Sequence, residues 1–125
     1  MGCILAIDDE KAILDMLKRA LVLFGFNVEI ASSGEEGIEK FKSGEFDVVV
    51  TDILMPGIDG VSVLKFIRKS DRSSTPVIGI SGTPWLLQNE SFDLVLDKPF
   101  SIKELVESVK KLTENKADSE SAKAN

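Results

Sequence analysis

The chain has 125 residues, 43% of them hydrophobic, which is enough for one domain with a real core. Its net charge of −6 argues against an electrostatic footprint for nucleic acid, and no apolar run is long enough to span a bilayer. It contains no histidine and one cysteine, which excludes Ser-His-Asp and Cys-His catalysis and leaves only oxygen ligands for any metal.

Cys3 to Ile7 is a short apolar run and reads as the first strand, ended by Asp8-Asp9-Glu10. Ile13, Leu14, Leu17, Ala20, Leu21 and Phe24 then recur at helical spacing, and Gly25 supplies a left-handed cap. Asn27 to Ala31 is the second strand, where Val28 and Ile30 alternate with Glu29 as they would near a sheet edge. Ser33 and Glu36 form a capping box at the start of the second helix. Gly37, Ile38 and Phe41 give that helix a narrow apolar face, and Gly44 ends it. Val48 to Val50 is a β-branched run without polar alternation, as in a central parallel strand covered on both faces. Asp52 stands at its carboxyl end, Met55-Pro56-Gly57 breaks it, and Asp59-Gly60 opens a third helix. That helix runs to about Lys69, with Val63, Leu64 and Ile67 facing the sheet.

Asp71 to Thr75 is a polar loop, and Pro76 opens the fourth strand, which Ser81-Gly82 closes. The stretch TPWLLQNESF from Thr83 to Phe92 holds at most a short helix, with Thr83 as its cap and Pro84 as its first residue. Asp93 to Leu96 is the fifth strand, ending at Asp97-Lys98-Pro99. Ser101 and Glu104 form a second capping box, and Ile102, Leu105, Val106, Val109 and Leu112 make the last helix amphipathic. Residues 1–114 read as one domain, and residues 115–125 as a polar, disordered tail. No leader peptide, linker or internal repeat is visible, Cys3 reads as a structural thiol in a strand, and the expected compartment is the cytoplasm.

Five strands alternating with helices, joined by right-handed crossovers, give an α/β fold with a doubly wound parallel sheet in the flavodoxin-like order 2-1-3-4-5. The topological switch then lies between strands 1 and 3, where Asp8, Asp9 and Asp52 converge. Three clustered carboxylates repel one another unless a cation intervenes, and a hard ion with oxygen ligands, Mg²⁺ or Mn²⁺, resolves the conflict. Asp9 and Asp52 are the expected direct ligands, Asp8 acts through water, and the Leu54 carbonyl completes the set. Asp52 is also a candidate nucleophile toward a phosphoryl group, with Lys98 as a fixed cation and Ser81 as a hydroxyl donor at the same sheet edge. Taken singly, Asp8 and Asp9 read as helix caps, Ser81 as a turn residue and Lys98 as a solvated surface cation; their convergence on one edge favours a site.

These residues resemble the receiver domain of two-component response regulators, especially single-domain chemotaxis and sporulation types. The motifs are Asp8-Asp9-Glu10, Asp52 with Met55-Pro56-Gly57 and Asp59-Gly60, Ser81-Gly82, and Lys98-Pro99-Phe100, and the likeness runs from about Ile4 to Leu112. The resemblance implies that Asp52 is the phosphoacceptor, that Asp8 and Asp9 bind Mg²⁺, that Ser81 is the switch hydroxyl and Lys98 the family's lysine, and that Lys98-Pro99 is cis. Two departures stand out: Val95 occupies the place of the usual strand-5 aromatic, and the short span from Ser81 to Lys98 implies that the fourth helix is short or missing.

The reading that follows is a phosphoacceptor signalling domain of a phosphorelay rather than an enzyme, limited to self-phosphorylation and autodephosphorylation chemistry. Its implied partners are a histidine kinase or histidine phosphotransfer protein and an unidentified downstream protein bound in trans, with neither nucleic acid nor membrane. The alternative is a pseudo-receiver, a binding scaffold that is never phosphorylated. A Mg²⁺-dependent phosphohydrolase needs a second acid two residues after the nucleophile, and that position is Leu54.

Overall fold

The structure is a computed structural model; it describes the backbone of residues 2–124 and the side chains of residues 2–114. The order is β1 (Cys3–Ile7), α1 (Lys11–Leu23), β2 (Asn27–Ala31), α2 (Gly34–Ser43), β3 (Val48–Asp52), α3 (Gly60–Lys69), β4 (Val77–Ser81), a 3-10 turn (Pro84–Leu87), β5 (Leu94–Asp97) and α4 (Ile102–Ala124). All strand pairs are parallel and the sheet order is β2-β1-β3-β4-β5, as the sequence implied.

The strand sequences explain why both faces are covered. Ile4 and Ala6, Val48 and Val50, and Ile78 and Ile80 point to one side, where they meet Leu14, Leu17 and Leu21 of α1 and Leu105, Val106 and Val109 of α4. Leu5 and Ile7, Val49, and Val77 point to the other, against Phe41 of α2 and Val63, Leu64 and Ile67 of α3. Every β3 and β4 residue is buried, so the runs carry no polar alternation. β2 is an edge strand with only its last residue buried, in keeping with Glu29 between Val28 and Ile30.

The helix ends follow their local chemistry. At the end of α1 the Gly25 N–H donates to the Val22 carbonyl and the Phe26 N–H to the Leu21 carbonyl, a Schellman closure with Gly25 at φ 96°. Ser33 accepts from the Glu36 N–H at 3.1 Å, but the Glu36 carboxylate reaches back to the N–H and hydroxyl of Ser32 instead of Ser33. The Arg72 guanidinium closes the far end of α2, donating to the carbonyls of Phe41 and Gly44 while lying over the Phe41 ring.

The region between β4 and β5 holds a single 3-10 turn instead of a helix. On the α2/α3 face of the sheet, Phe92 comes down from the loop before β5 and packs against the core. Its ring sits over Gly79, where an added Cβ would lie 3.0 Å from the Phe92 ring and 3.2 Å from Ile53. The loop is clamped by Arg68, which donates to the carbonyls of Ser73, Thr75 and Ser91 and pairs with Asp93 at 2.8 Å.

Several boundaries differ from expectation. Thr83 makes no side-chain capping bond; its N–H donates to Ser81 Oγ at 2.9 Å and its Oγ1 lies 3.4 Å from the same oxygen. Strand β4 starts at Val77 and β5 at Leu94; the Pro76 carbonyl and the Asp93 N–H still join the sheet, bonding Val49 and Val77. Ile102 is exposed, because it falls in the first turn of α4, ahead of the buried stripe. The backbone of α4 is helical to Ala124, through the stretch read as a polar tail from residue 115; Glu, Lys and Ala there favour helix and no proline or glycine stops it.

Candidate functional site

Strand register assembles the site. Ile7 pairs with Thr51, so Asp8 and Asp52 leave the sheet side by side. Asp52 pairs with Ile80, which sets Ser81 one residue beyond it, and Ser81 pairs with Asp97, which brings Lys98 to the same edge. The main chain locks these ends together: Asp8 N–H donates to Ala31 O, Ile53 N–H to Ile80 O, and Lys98 N–H to Ser81 O. The Lys98-Pro99 peptide is cis.

Carboxylate oxygens of Asp8, Asp9 and Asp52 lie within 4.8 Å of one another. Asp8 and Asp52 are 1% and 4% exposed, whereas Asp9 faces solvent. Lys98 Nζ stands 2.9 Å from Asp52 Oδ1. Ser81 is buried beside them, and its Oγ accepts from the Thr83 N–H and lies 3.4 Å from Thr83 Oγ1. The Leu54 side chain is 83% exposed, two residues past Asp52 in the loop that leads to α3. Thus Asp8, Asp9, Asp52 and Lys98 form one cluster, and Ser81 adjoins it through the sheet while hydrogen-bonding to Thr83.

The electrostatics fit a cation. Burial pushes the Asp8 carboxyl up to about 6; the Glu10 N–H opposes the rise and the charge of Asp52 adds to it. For Lys98, burial acts downward, but the hydrogen bond and charge of Asp52, with Asp8 and Glu10, hold the ammonium above its ordinary range. One lysine faces three acids, so the cluster keeps an excess of negative charge. Asp8 Oδ1 accepts from the Glu10 N–H, but Asp8 Oδ2 is buried with no hydrogen-bond partner among the described residues. An orphaned carboxylate oxygen beside two further carboxylates is a donor set that a hard divalent ion fits.

Two contacts escaped the sequence reading. Glu35 Oε1 accepts from the Ile58 N–H at 2.8 Å, tying the start of α2 to the loop after Asp52. Thr83 holds Ser81 instead of capping the turn. The first had no local signal, since its partners are far apart in the chain; the second was masked by the Thr-Pro pair, which reads equally well as a helix start.

Comparison with known proteins gives a consistent result. A family model described as "Response regulator receiver domain" matches residues 4–110. The transcriptional regulatory protein TrcR of Mycobacterium tuberculosis is 36% identical over 108 residues, which is 82% of this chain and 42% of TrcR. The receiver domain of Francisella response regulator 1452 superposes with a TM-score of 0.85 at 31% identity, covering 93% of this chain and 99% of that one. The response regulator TrrA of Thermotoga maritima, solved with Mg²⁺ and beryllofluoride, gives 0.78 at 37% identity over 90% of this chain and 99% of that one. The chain spans about half the length of the curated relatives it matches. With a five-stranded parallel sheet in the order β2-β1-β3-β4-β5 and three acids and a lysine gathered at the ends of its strands, this chain belongs to the response regulator receiver domain family.

Proposed function

We propose that this chain is a phosphoacceptor receiver that takes a phosphoryl group on Asp52 from a phosphohistidine of a histidine kinase or phosphotransfer protein. The observation that carries the reading is the contact between Lys98 and the buried Asp52, inside a cluster with two further acids. Lys98 engages one oxygen of Asp52, leaving the other to attack phosphorus. The new bond is the P–O bond of an acyl phosphate; the P–N bond to the donor breaks and the histidine nitrogen leaves with its electron pair. Asp8, Asp9, Asp52 and the Leu54 carbonyl would hold Mg²⁺ or Mn²⁺, whose charge offsets that of the phosphoryl oxygens.

The chain's own residues do the remaining work. Lys98 changes partner from the Asp52 carboxylate to a phosphoryl oxygen, and Ser81 turns its hydroxyl toward another. That movement draws on the hydrogen bonds from Thr83, so it favours a second arrangement of the loop that carries Trp85 and Leu86. The output is binding of a protein partner in trans, in the cytoplasm and without nucleic acid. The acidic balance of the chain supports an output without nucleic acid, and among the described residues no helix is long and apolar enough to cross a membrane.

Incubation with Mg²⁺ and acetyl phosphate tests it by intact mass. The expected product carries one phosphoryl group and the label is lost on treatment with hydroxylamine. An unmodified mass together with no binding of beryllofluoride would establish the scaffold alternative.

A further inference from the structure

The loop from Ile53 to Asp59 carries the Leu54 carbonyl and connects the phosphoacceptor strand to α3. Its ends are fixed by the sheet and by α3: the Ile53 N–H donates to Ile80 O, the Gly60 N–H to Ile53 O, and the Ser62 N–H to Asp59 Oδ1. Between Leu54 and Ile58, among the described residues, one side chain hydrogen-bonds the backbone. It is Glu35, from the first turn of α2, at 2.8 Å from the Ile58 nitrogen.

Two glycines make that approach possible. Gly57 has φ +76°, and a Cβ there would lie 2.6 Å from Glu35 Oε1. Gly34 packs so closely that its Cβ would lie 2.3 Å from the Ile58 carbonyl oxygen, a backbone atom that cannot swing away. The start of α2 therefore rests directly on the loop. It is also tied to the other acid-bearing loop: Ala31, at the end of β2, accepts the Asp8 N–H, and Glu36 holds Ser32 just before the helix. The donated Ile58 N–H, then Glu35's own N–H and the Ser33 hydroxyl, hold the Glu35 carboxyl below its usual range, so it is an ionised acceptor at neutral pH.

We infer that Glu35 is a positioning residue: by accepting the Ile58 N–H it fixes the loop that carries the Leu54 carbonyl relative to Asp8 and Asp9. The start of α2 is then a brace between the two loops that supply the oxygens of the cation site. The inference rests on the phosphoacceptor reading for the role of that site. It makes no use of Glu35 as a ligand, since Glu35 reaches the backbone of Ile58 and not the acid cluster.

Amide-resolved NMR titration with Mg²⁺ tests the brace on the wild type, Glu35→Ala and Glu35→Gln. Removing a group that orients a ligand typically weakens metal affinity 10- to 100-fold, so Glu35→Ala should raise the Mg²⁺ dissociation constant about tenfold. Glu35→Gln keeps a carbonyl oxygen to accept the same N–H and should restore affinity to within about twofold of wild type. Native-state exchange on the wild type adds a readout that needs no variant: the Ile58 amide should be protected. A folded Glu35→Ala protein with wild-type affinity, or an Ile58 amide exchanging as freely as an unbonded one, overturns the brace while leaving the phosphoacceptor reading intact. A wild type that shows no response to Mg²⁺ overturns both.

Discussion

Lys98 Nζ and Asp52 Oδ1 lie 2.9 Å apart, with the carboxylate buried and the lysine side chain partly open to solvent. The contact compensates a charge that burial would otherwise make costly, and on the proposed phosphoacceptor reading it keeps a cation within reach of an incoming phosphoryl oxygen. Replacing Lys98 with Met should therefore have two separable effects. Breaking a fully buried pair costs about 3–5 kcal/mol, and the partial exposure of Lys98 reduces that to about 1–2 kcal/mol, read as a lower urea midpoint without metal. The variant should also accept phosphate from acetyl phosphate more slowly. An unchanged midpoint would show that solvent already compensates Asp52.

Asp52→Asn keeps the shape of the side chain and removes its nucleophilic charge. The variant should show the wild-type circular dichroism spectrum and gain no phosphoryl mass with Mg²⁺ and acetyl phosphate. Modification of the variant at wild-type rate would move the acceptor to another residue.

Much of this site can be read from the sequence because parallel strand ends carry positional information. The β-branched run of β3 fixes a buried central strand, the strand order follows from alternation with helices, and one polar residue after each strand then falls on one edge. What could not be read depends on contacts across space. Glu35 looks like an ordinary first-turn acid until Ile58 is seen beside it. Phe92 looks like part of an unstructured stretch until it is found above Gly79, packed against the core. Arg68 in the last turn of α3 and Arg72 in the loop after it carry no local sign of a partner, yet each bonds several carbonyls of other segments. The backbone of α4 continues past residue 114 because polarity alone does not end a helix; Pro and Gly do so strongly, and neither occurs in that stretch.

The Phe92 contact gives a stability prediction. Phe→Ala in a core costs about 3–5 kcal/mol, and because Phe92 is only partly buried the loss here should be about 2 kcal/mol. Gly79→Ala should also destabilise, since its methyl would press on the Phe92 ring and on Ile53. In the double variant the smaller side chain relieves most of the crowding, so the two losses should fall short of additive by about 1 kcal/mol. Strict additivity in urea unfolding would mean that the ring does not cover Gly79 in solution.

Trp85 and Leu86 are exposed on the turn that follows Ser81, and Thr83 links that turn to the Ser81 hydroxyl. Movement of Ser81 toward a bound phosphoryl group should displace the turn and change the environment of the indole. Trp85 is the chain's single tryptophan, so the emission change on adding beryllofluoride with Mg²⁺ can be assigned without ambiguity. A flat titration, with binding demonstrated independently, would separate the turn from the switch.

The raised carboxyl of Asp8 gives the acid cluster a defined pH dependence. Its folded value of about 6 lies above the ordinary 3.8, so the folded state holds a proton that the unfolded chain has already released between those values. Stability from this group is complete below about 4 and is lost as pH rises through about 6, the reverse of a salt-bridged aspartate. A shift of this size corresponds to about 3 kcal/mol, so in EDTA the urea midpoint should fall between pH 4 and pH 6.5. Asp8→Asn should flatten that part of the profile. Mg²⁺ should oppose the fall, because the ion favours the ionised carboxylate, and its affinity should rise with pH across the same window. A metal-free midpoint that climbs over this interval would show that Asp8 is paired and ionised, and the buried Oδ2 would then need another partner.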